Sequence, residues 1–270
     1  MKKTILITGS TDGIGFETAK MLVSQGHHVL IHGRNPTKLQ GVAEQLASIE
    51  GANPIESYVS DLSNLADVQN LADEVKAKHN SLDVLINNAG VYKVSQITTV
   101  DDLDVRFVVN TIAPYLLTQQ LQPLFDHTGR IVNLSSAAQS PVDFASLVSR
   151  SAGPNDSAIY AQSKLALTMW SAHLAASLGT QGPAVIAVNP ASFLGSKMVK
   201  EAYGVDGGDL QIGAKVLCRA ALDDDFANAS GKYFDNDSGR FTAPHSDALN
   251  VSKCQALVSI IQQVIEDKTQ

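Results

Sequence analysis

Residues 4–16 read Thr4-Ile5-Leu6-Ile7-Thr8-Gly9-Ser10-Thr11-Asp12-Gly13-Ile14-Gly15-Phe16. A short apolar run enters a glycine-rich turn, and from Phe16 to Gln25 apolar residues recur at helical spacing until Gly26 stops them. The pattern predicts a buried strand over Thr4 to Thr8, a tight turn and a helix. Between a strand and a helix, glycines so placed also predict a phosphate site. Gly9 permits the turn, Gly13 a close approach of ligand to backbone and Gly15 close helix packing, with Thr11, Asp12 and Ile14 completing the loop. The first turn of the helix then offers free N–H groups and the positive end of the helix dipole to a pyrophosphate.

The same rhythm continues outward. His28 to Ile31 reads as a second strand, followed by a helix over Pro36 to Ile49, a strand near Ile55 to Val59, a helix capped by Asn64 and running to His79, and a strand at Val84 to Ile86. A helix including Asn110 to Phe125, a strand at Arg130 to Leu134, a helix holding Tyr160 to Leu178 and a strand at Ala184 to Val188 complete the winding. This alternation predicts an α/β fold: a single Rossmann-type domain over residues 1–270, its doubly wound parallel sheet flanked by helices on both faces. Two Ser-, Gly- and Pro-rich stretches, residues 137–157 and 191–209, break the regularity. Both follow strands, so they are expected to overhang the carboxyl edge of the sheet, where open α/β folds bind ligands.

With 270 residues, a formal charge of −7 and 44% hydrophobic residues, composition argues against disorder and against a nucleic-acid surface. No stretch approaches the ~20 apolar residues of a membrane span, and Ile5-Leu6-Ile7 is too short for the apolar core of a signal peptide. Cys218 and Cys254 stand apart from each other and from any His cluster, which argues against a disulfide framework or a zinc site. His28 and His32 share a strand face but have no third ligand, so no metal is expected. A soluble cytoplasmic protein is the expectation.

The end of the second strand separates two dinucleotides. A carboxylate there would accept from the ribose hydroxyls of NAD, whereas an arginine would hold the 2′-phosphate of NADP. The residues are His32-Gly33-Arg34-Asn35, with no acid and with the planar fork of Arg34. NADP is the expected cofactor, with NAD as the alternative, because Asp12 adds negative charge beside the same phosphate.

In Tyr160-Ala161-Gln162-Ser163-Lys164 a phenol and an ammonium stand at i and i+4, neighbours on one helix face. A tyrosine with its ordinary pKa of ~10 is a poor proton donor or acceptor at neutrality. A nearby cation stabilises the phenolate.

Taken in order, these motifs resemble the short-chain dehydrogenase/reductase family over nearly the whole chain. Gly9, Gly13 and Gly15 match its glycine turn, Asp61-Leu62 its acidic adenine contact, and Asn88-Ala89-Gly90 its signature after the fourth strand. Asn110, Ser136, Tyr160 and Lys164 match its catalytic set, and Pro190 and Phe193 its segment over the nicotinamide, where Ala191 replaces the usual glycine. The separation of Ser136 from Tyr160, Arg34, and Gly231-Lys232-Tyr233-Phe234 are similar to the retinol-dehydrogenase-like branch.

The resemblance implies hydride transfer between NADP(H) and a carbonyl or alcohol. Tyr160 would transfer the proton, Ser136 would bind the substrate oxygen, Lys164 would lower the phenol's pKa and hold the nicotinamide ribose, and Asn110 would position a water. It also implies a homodimer or homotetramer through the helices bearing Asn110 and Tyr160. Val142, Phe144, Leu147, Phe193, Leu194, Met198, Val199 and Tyr203 are expected to line an apolar pocket. The alternative is a non-catalytic redox sensor that binds a dinucleotide, against which the presence of Asn110, Ser136, Tyr160 and Lys164 counts; a nucleotide-sugar epimerase is a further rival, whose glycine spacing differs from that of Gly9, Gly13 and Gly15.

Overall fold

The computed structural model describes residues 1–149 and 155–269; within the first long connection, Arg150 to Pro154 lie outside the described residues. The described residues form one sheet of eight strands: β1 (Thr4–Ile7), β2 (His28–Gly33), β3 (Glu56–Val59), β4 (Val84–Asn87), β5 (Arg130–Leu134), β6 (Ala184–Asn189), β7 (Tyr233–Asp235) and β8 (Arg240–Thr242). Their order is β3-β2-β1-β4-β5-β6-β7-β8. All neighbours are parallel except β8, which returns antiparallel to β7. The winding direction reverses between β1 and β4, so the crevice at their carboxyl ends is where a ligand is expected.

Successive strand residues point to opposite faces and so feed two cores. Ile5 and Ile7 of β1 enter one, packed under α1 (Gly13–Ser24), α2 (Pro36–Ala47) and α9 (Leu210–Leu222). Leu6 enters the other, under α3 (Leu65–Lys78), α5 (Ala113–Leu121), α7 (Asp156–Leu178) and α10 (Val251–Lys268). The shorter helices are α4 (Val105–Phe107), α6 (Ala145–Val148) and α8 (Lys197–Tyr203). None of the described helices is long and apolar enough to cross a membrane. Trp170 and Met169 lie in the second core.

Several boundaries differ from the sequence reading for local reasons. Helix α1 starts at Gly13, before Phe16, because the Asp12 side chain caps it by accepting from Gly13 N. Likewise Asn155 caps α7, so the tyrosine helix begins at Asp156. The helix expected around Asn110 is not uniform: a π-helical turn over Val108–Ile112 joins α4 to α5. Such turns are frequent at functional sites. Beyond Val188 lie α8 to α10 and the β7–β8 pair, with Asp223 capping the end of α9.

Candidate active site

Two turns meet at the switch point. The Asn88 amide donates to Thr8 O at 2.9 Å and Gly9 O at 3.0 Å, while Thr8 Oγ1 accepts from the N–H groups of Asn88 and Ala89. Gly9 has φ +63°, and a Cβ there would stand 2.8 Å from Ala89 Cα. A Cβ on Gly15 would stand 2.4 Å from both Asn88 Nδ2 and Gly9 O. The third glycine therefore admits the Asn88 amide, a more specific role than helix packing. By contrast, a Cβ on Gly13 would meet only Ser196 Cβ, at 3.8 Å. Asp12 accepts from Gly13 N and its backbone from Phe16 N, which leaves the N–H groups of Ile14 and Gly15 without an acceptor among the described residues.

On the β2 side, Gly33 leaves room for Thr11, whose Cγ2 would be 2.5 Å from any Cβ there. Arg34 is exposed. Asp12 is not a bare charge: Lys38 Nζ lies 2.6 Å from its Oδ2 and, as the largest influence, holds the carboxyl below its usual range. Lys38 was absent from the sequence reading, since nothing local links it to a residue 26 positions earlier.

His32 also does more than an ordinary strand residue. Its Nδ1 accepts from Gly9 N at 3.1 Å, and its Nε2 contacts Ser60 O at 3.1 Å. Burial pushes its pKa down to about 4, so the ring is neutral, with the proton assigned to Nε2 by these partners. Asp61 Oδ1 accepts from Ser63 N and Oγ. Leu62 is buried in the core, so its side chain serves packing.

Of the four residues matching the catalytic set, Asn110, from the π-helical turn before α5, and Tyr160 and Lys164, from α7, are brought together, while Ser136 sits two residues beyond the end of β5. Lys164 is only 4% exposed, donates to Leu134 O at 2.7 Å, and sits with Nζ 5.7 Å from the centroid of the Tyr160 ring. Burial lowers its pKa to about 8. Tyr92 packs on Tyr160 with ring centroids 4.9 Å apart and hydrogen-bonds through its hydroxyl to Ser157 at the start of α7. Asn110 Oδ1 accepts from Val91 N at 2.8 Å, and its Nδ2 donates to Val91 O and to Ser163 Oγ. Ser136 Oγ accepts from Ala138 N, and its carbonyl accepts from Gln139 Nε2 and the Tyr233 hydroxyl. Tyr233, from the Gly231-Lys232-Tyr233-Phe234 motif, thus braces the serine. Gly90 lies over the pair: a Cβ there would be 3.3 Å from Asn110 Oδ1 and 3.4 Å from Lys164 Nζ.

The residues expected to line an apolar pocket fall into different environments. Leu147 is fully buried in the core, where α6 meets α10, and Leu194 is buried where a Cβ on Gly213 would strike it. Val142 and Phe144 pack half-buried on the same core, Phe193 is 57% exposed, and Met198 Cε approaches Gly90. The Tyr203 side chain lies outside the described residues. Among those residues no group of His, Cys, Asp and Glu is placed to hold a metal.

The short chain dehydrogenase family profile matches residues 3–204, which hold the glycine turn, Asn88-Ala89-Gly90, Asn110, Ser136 and the Tyr160–Lys164 pair. The chain belongs to that family. It is 28% identical to retinol dehydrogenase 13 of Homo sapiens over 269 residues, covering 93% of this chain and 81% of that one. It is 35% identical to polyprenol dehydrogenase of Homo sapiens over 193 residues, 68% of this chain. That match spans 58% of the relative's length. These relatives put the chain in the retinol-dehydrogenase-like branch. A short chain dehydrogenase from Burkholderia cenocepacia, solved in complex with NADP, superimposes with a TM-score of 0.69 at 26% identity, covering 87% of this chain and 95% of that one.

Proposed function

We propose that this oxidoreductase moves a hydride between NADP(H) and the carbonyl or alcohol group of an apolar small molecule, with Tyr160 as the proton-transfer residue. The observation that carries the reading is the buried Lys164 ammonium, 5.7 Å from the Tyr160 ring, beside a glycine turn with space above it.

The residues present fit the cofactor. The N–H groups of Ile14 and Gly15 suit a pyrophosphate, with Gly13 open above them. Arg34 suits a 2′-phosphate, and Lys38, paired with Asp12, offsets the charge that spoke for NAD. Asp61 would contact the adenine, Asn88-Ala89-Gly90 would support the adenosine side, and Pro190 and Phe193 would flank the nicotinamide. When bound, NADP(H) supplies or accepts the hydride.

The chain's own groups handle the oxygen and the proton. Ser136 Oγ accepts from Ala138 N, which leaves its hydroxyl proton for a substrate oxygen. Lys164 has three donors and commits one to Leu134 O, so the others can reach a ribose hydroxyl, while its charge favours the Tyr160 phenolate. Both Asn110 donors are committed, so a water linking Lys164 to solvent would rest on the second Oδ1 lone pair.

We read the chain as one domain, with the two long connections forming the substrate entrance, and propose a cytoplasmic location, in keeping with two buried free thiols. A homodimer or homotetramer is proposed with one restriction. Because α10 packs along α7, a second copy would meet α10 on that side.

The test is Tyr160→Phe, assayed by NADPH absorbance against a panel of aldehydes and ketones, including retinoid-like ones. Turnover should fall by about 10²-fold or more with NADPH affinity nearly unchanged. Substantial residual turnover in the variant would remove Tyr160 from the reaction, and a native protein that binds NADPH but reduces nothing would favour the sensor.

A further inference from the structure

We propose that Asp237 is a positioning residue: from the turn between β7 and β8 it holds the loop after β6 in a strained shape, and that shape sets α8 against the glycine turn. The proposal rests on the cofactor reading above.

Two residues of that loop, Ala191 at φ 116° and Phe193 at φ 52°, adopt positive φ without being glycine. Residues with a Cβ leave such conformations unless their surroundings hold them. The hold is visible. Asp237 Oδ1 accepts from Ser192 N at 2.8 Å, and its Oδ2 accepts from Ser192 Oγ at 2.6 Å and Asn189 Nδ2 at 2.9 Å. Next to it, Asn236 donates through its side chain to Pro190 O and through its backbone N–H to Asn189 O, and Asp235 Oδ1 accepts from Asn189 Nδ2. The turn therefore grips Asn189, Pro190 and Ser192, on both sides of the strained alanine. Hydrogen bonds to a carboxylate are roughly twice as strong as neutral ones, which suits a device that must oppose strain.

What the loop delivers is α8. Gly195 N donates to Gly208 O and Gly208 N to Phe193 O, both at 2.7 Å, which fixes the exit. Ser196 then caps α8 beside Gly13, and Met198 Cε stands 3.9 Å from the Cβ position of Gly90, over Asn110 and Lys164. If Ala191 relaxes to negative φ, the chain beyond it swings and these two approaches are lost. Glycine at 191 would need no hold, because it reaches positive φ freely.

The test uses Asp237→Ala, Ala191→Gly and the double variant. Hydrogen exchange is followed across residues 189–196 without cofactor, then NADPH affinity by fluorescence and kcat/KM. Asp237→Ala should raise exchange at Ser192 and lower NADPH affinity and kcat/KM by on the order of tenfold, the scale of one strained residue. Adding Ala191→Gly should restore most of the affinity and kcat/KM, whereas Ser192 exchange stays raised because its acceptor is gone. Native exchange in Asp237→Ala, or a loss of affinity that the double variant leaves undiminished, would overturn the proposal. A native protein that binds no NADPH would defeat the cofactor reading instead, while exchange at Gly195, whose acceptor Gly208 O is untouched by Asp237→Ala, still decides whether Asp237 holds the loop.

Discussion

Lys164 carries its amine in a pocket that burial makes unfavourable for charge, and the pKa of about 8 places its titration inside the working range of many assays. The charged form is the one that donates to ribose, so NADPH binding should weaken as pH rises through about 8, by up to about tenfold per unit. Stability should move the other way. Between about 8 and the ordinary lysine value near ~10.4 the unfolded chain binds more protons than the folded one, so this group's contribution to stability rises with pH across that window. Calorimetric titration of NADPH from neutral to alkaline pH, with Lys164→Met as a flat control, checks the first; a native profile as flat as the control's would contradict it. At the phosphate end, Arg34→Ala should weaken NADPH by about 1.5–3 kcal/mol, the worth of a hydrogen bond to a charged group, and NADH far less. Equal losses for both would take Arg34 out of the site. These residues were legible because their signals are local: glycines within seven positions, and Tyr160 and Lys164 one helical turn apart. Lys38, His32 and Asp237 were not, because each acts on a partner more than 20 residues away, at Asp12, Gly9 and Ser192.

At the level of elements, hydrophobic runs identified β1, β2, β4, β5 and β6 because each is buried in a parallel sheet, while β3, at the sheet edge, buries only Tyr58 and was marked by its β-branched and aromatic residues Ile55, Tyr58 and Val59. Strands β7 and β8 have three residues each, too few for a pattern, and their place is set by pairing with β6 and with each other. The π-helical turn was equally hidden, since its cause is tertiary: Asn110 ties the helix to both backbone groups of Val91. The start of α7 depends on a similar long-range tie. Arg106 is 4% exposed, donates to Asp104 through Nε and Nη2 at 2.9 and 2.6 Å, and reaches Asp156 in the first turn of α7. Arg106→Met would strand the buried Asp104 carboxylate, and breaking such a pair from one side costs about 3–5 kcal/mol. Urea denaturation should report that loss as a lower midpoint with an unchanged slope, and turnover should fall with it as the tyrosine helix loosens. A midpoint within error of the native value would mean the ion pair holds nothing in place.

Across the whole molecule, the sheet gives each core a helical roof, and the second roof is finished only by the C-terminal helix. Leu257, Val258, Ile261 and Val264 of α10 are buried in the core that α3, α5 and α7 share, and Gln262 donates to the Tyr115 hydroxyl on α5. At roughly 1.5–3 kcal/mol for each buried aliphatic side chain, these four contribute on the order of 6–12 kcal/mol. That is comparable to the total stability of an ordinary domain, about 5–15 kcal/mol. A chain ending at Asn250 should therefore lose cooperative unfolding, bind a hydrophobic dye and aggregate, even though it keeps every residue matched by the family profile. The alternative outcome is as informative. A shortened chain that melts cooperatively and doubles its mass in light scattering would mean that a second copy can take the position of α10 on α7, and that the helix serves to exclude that partner.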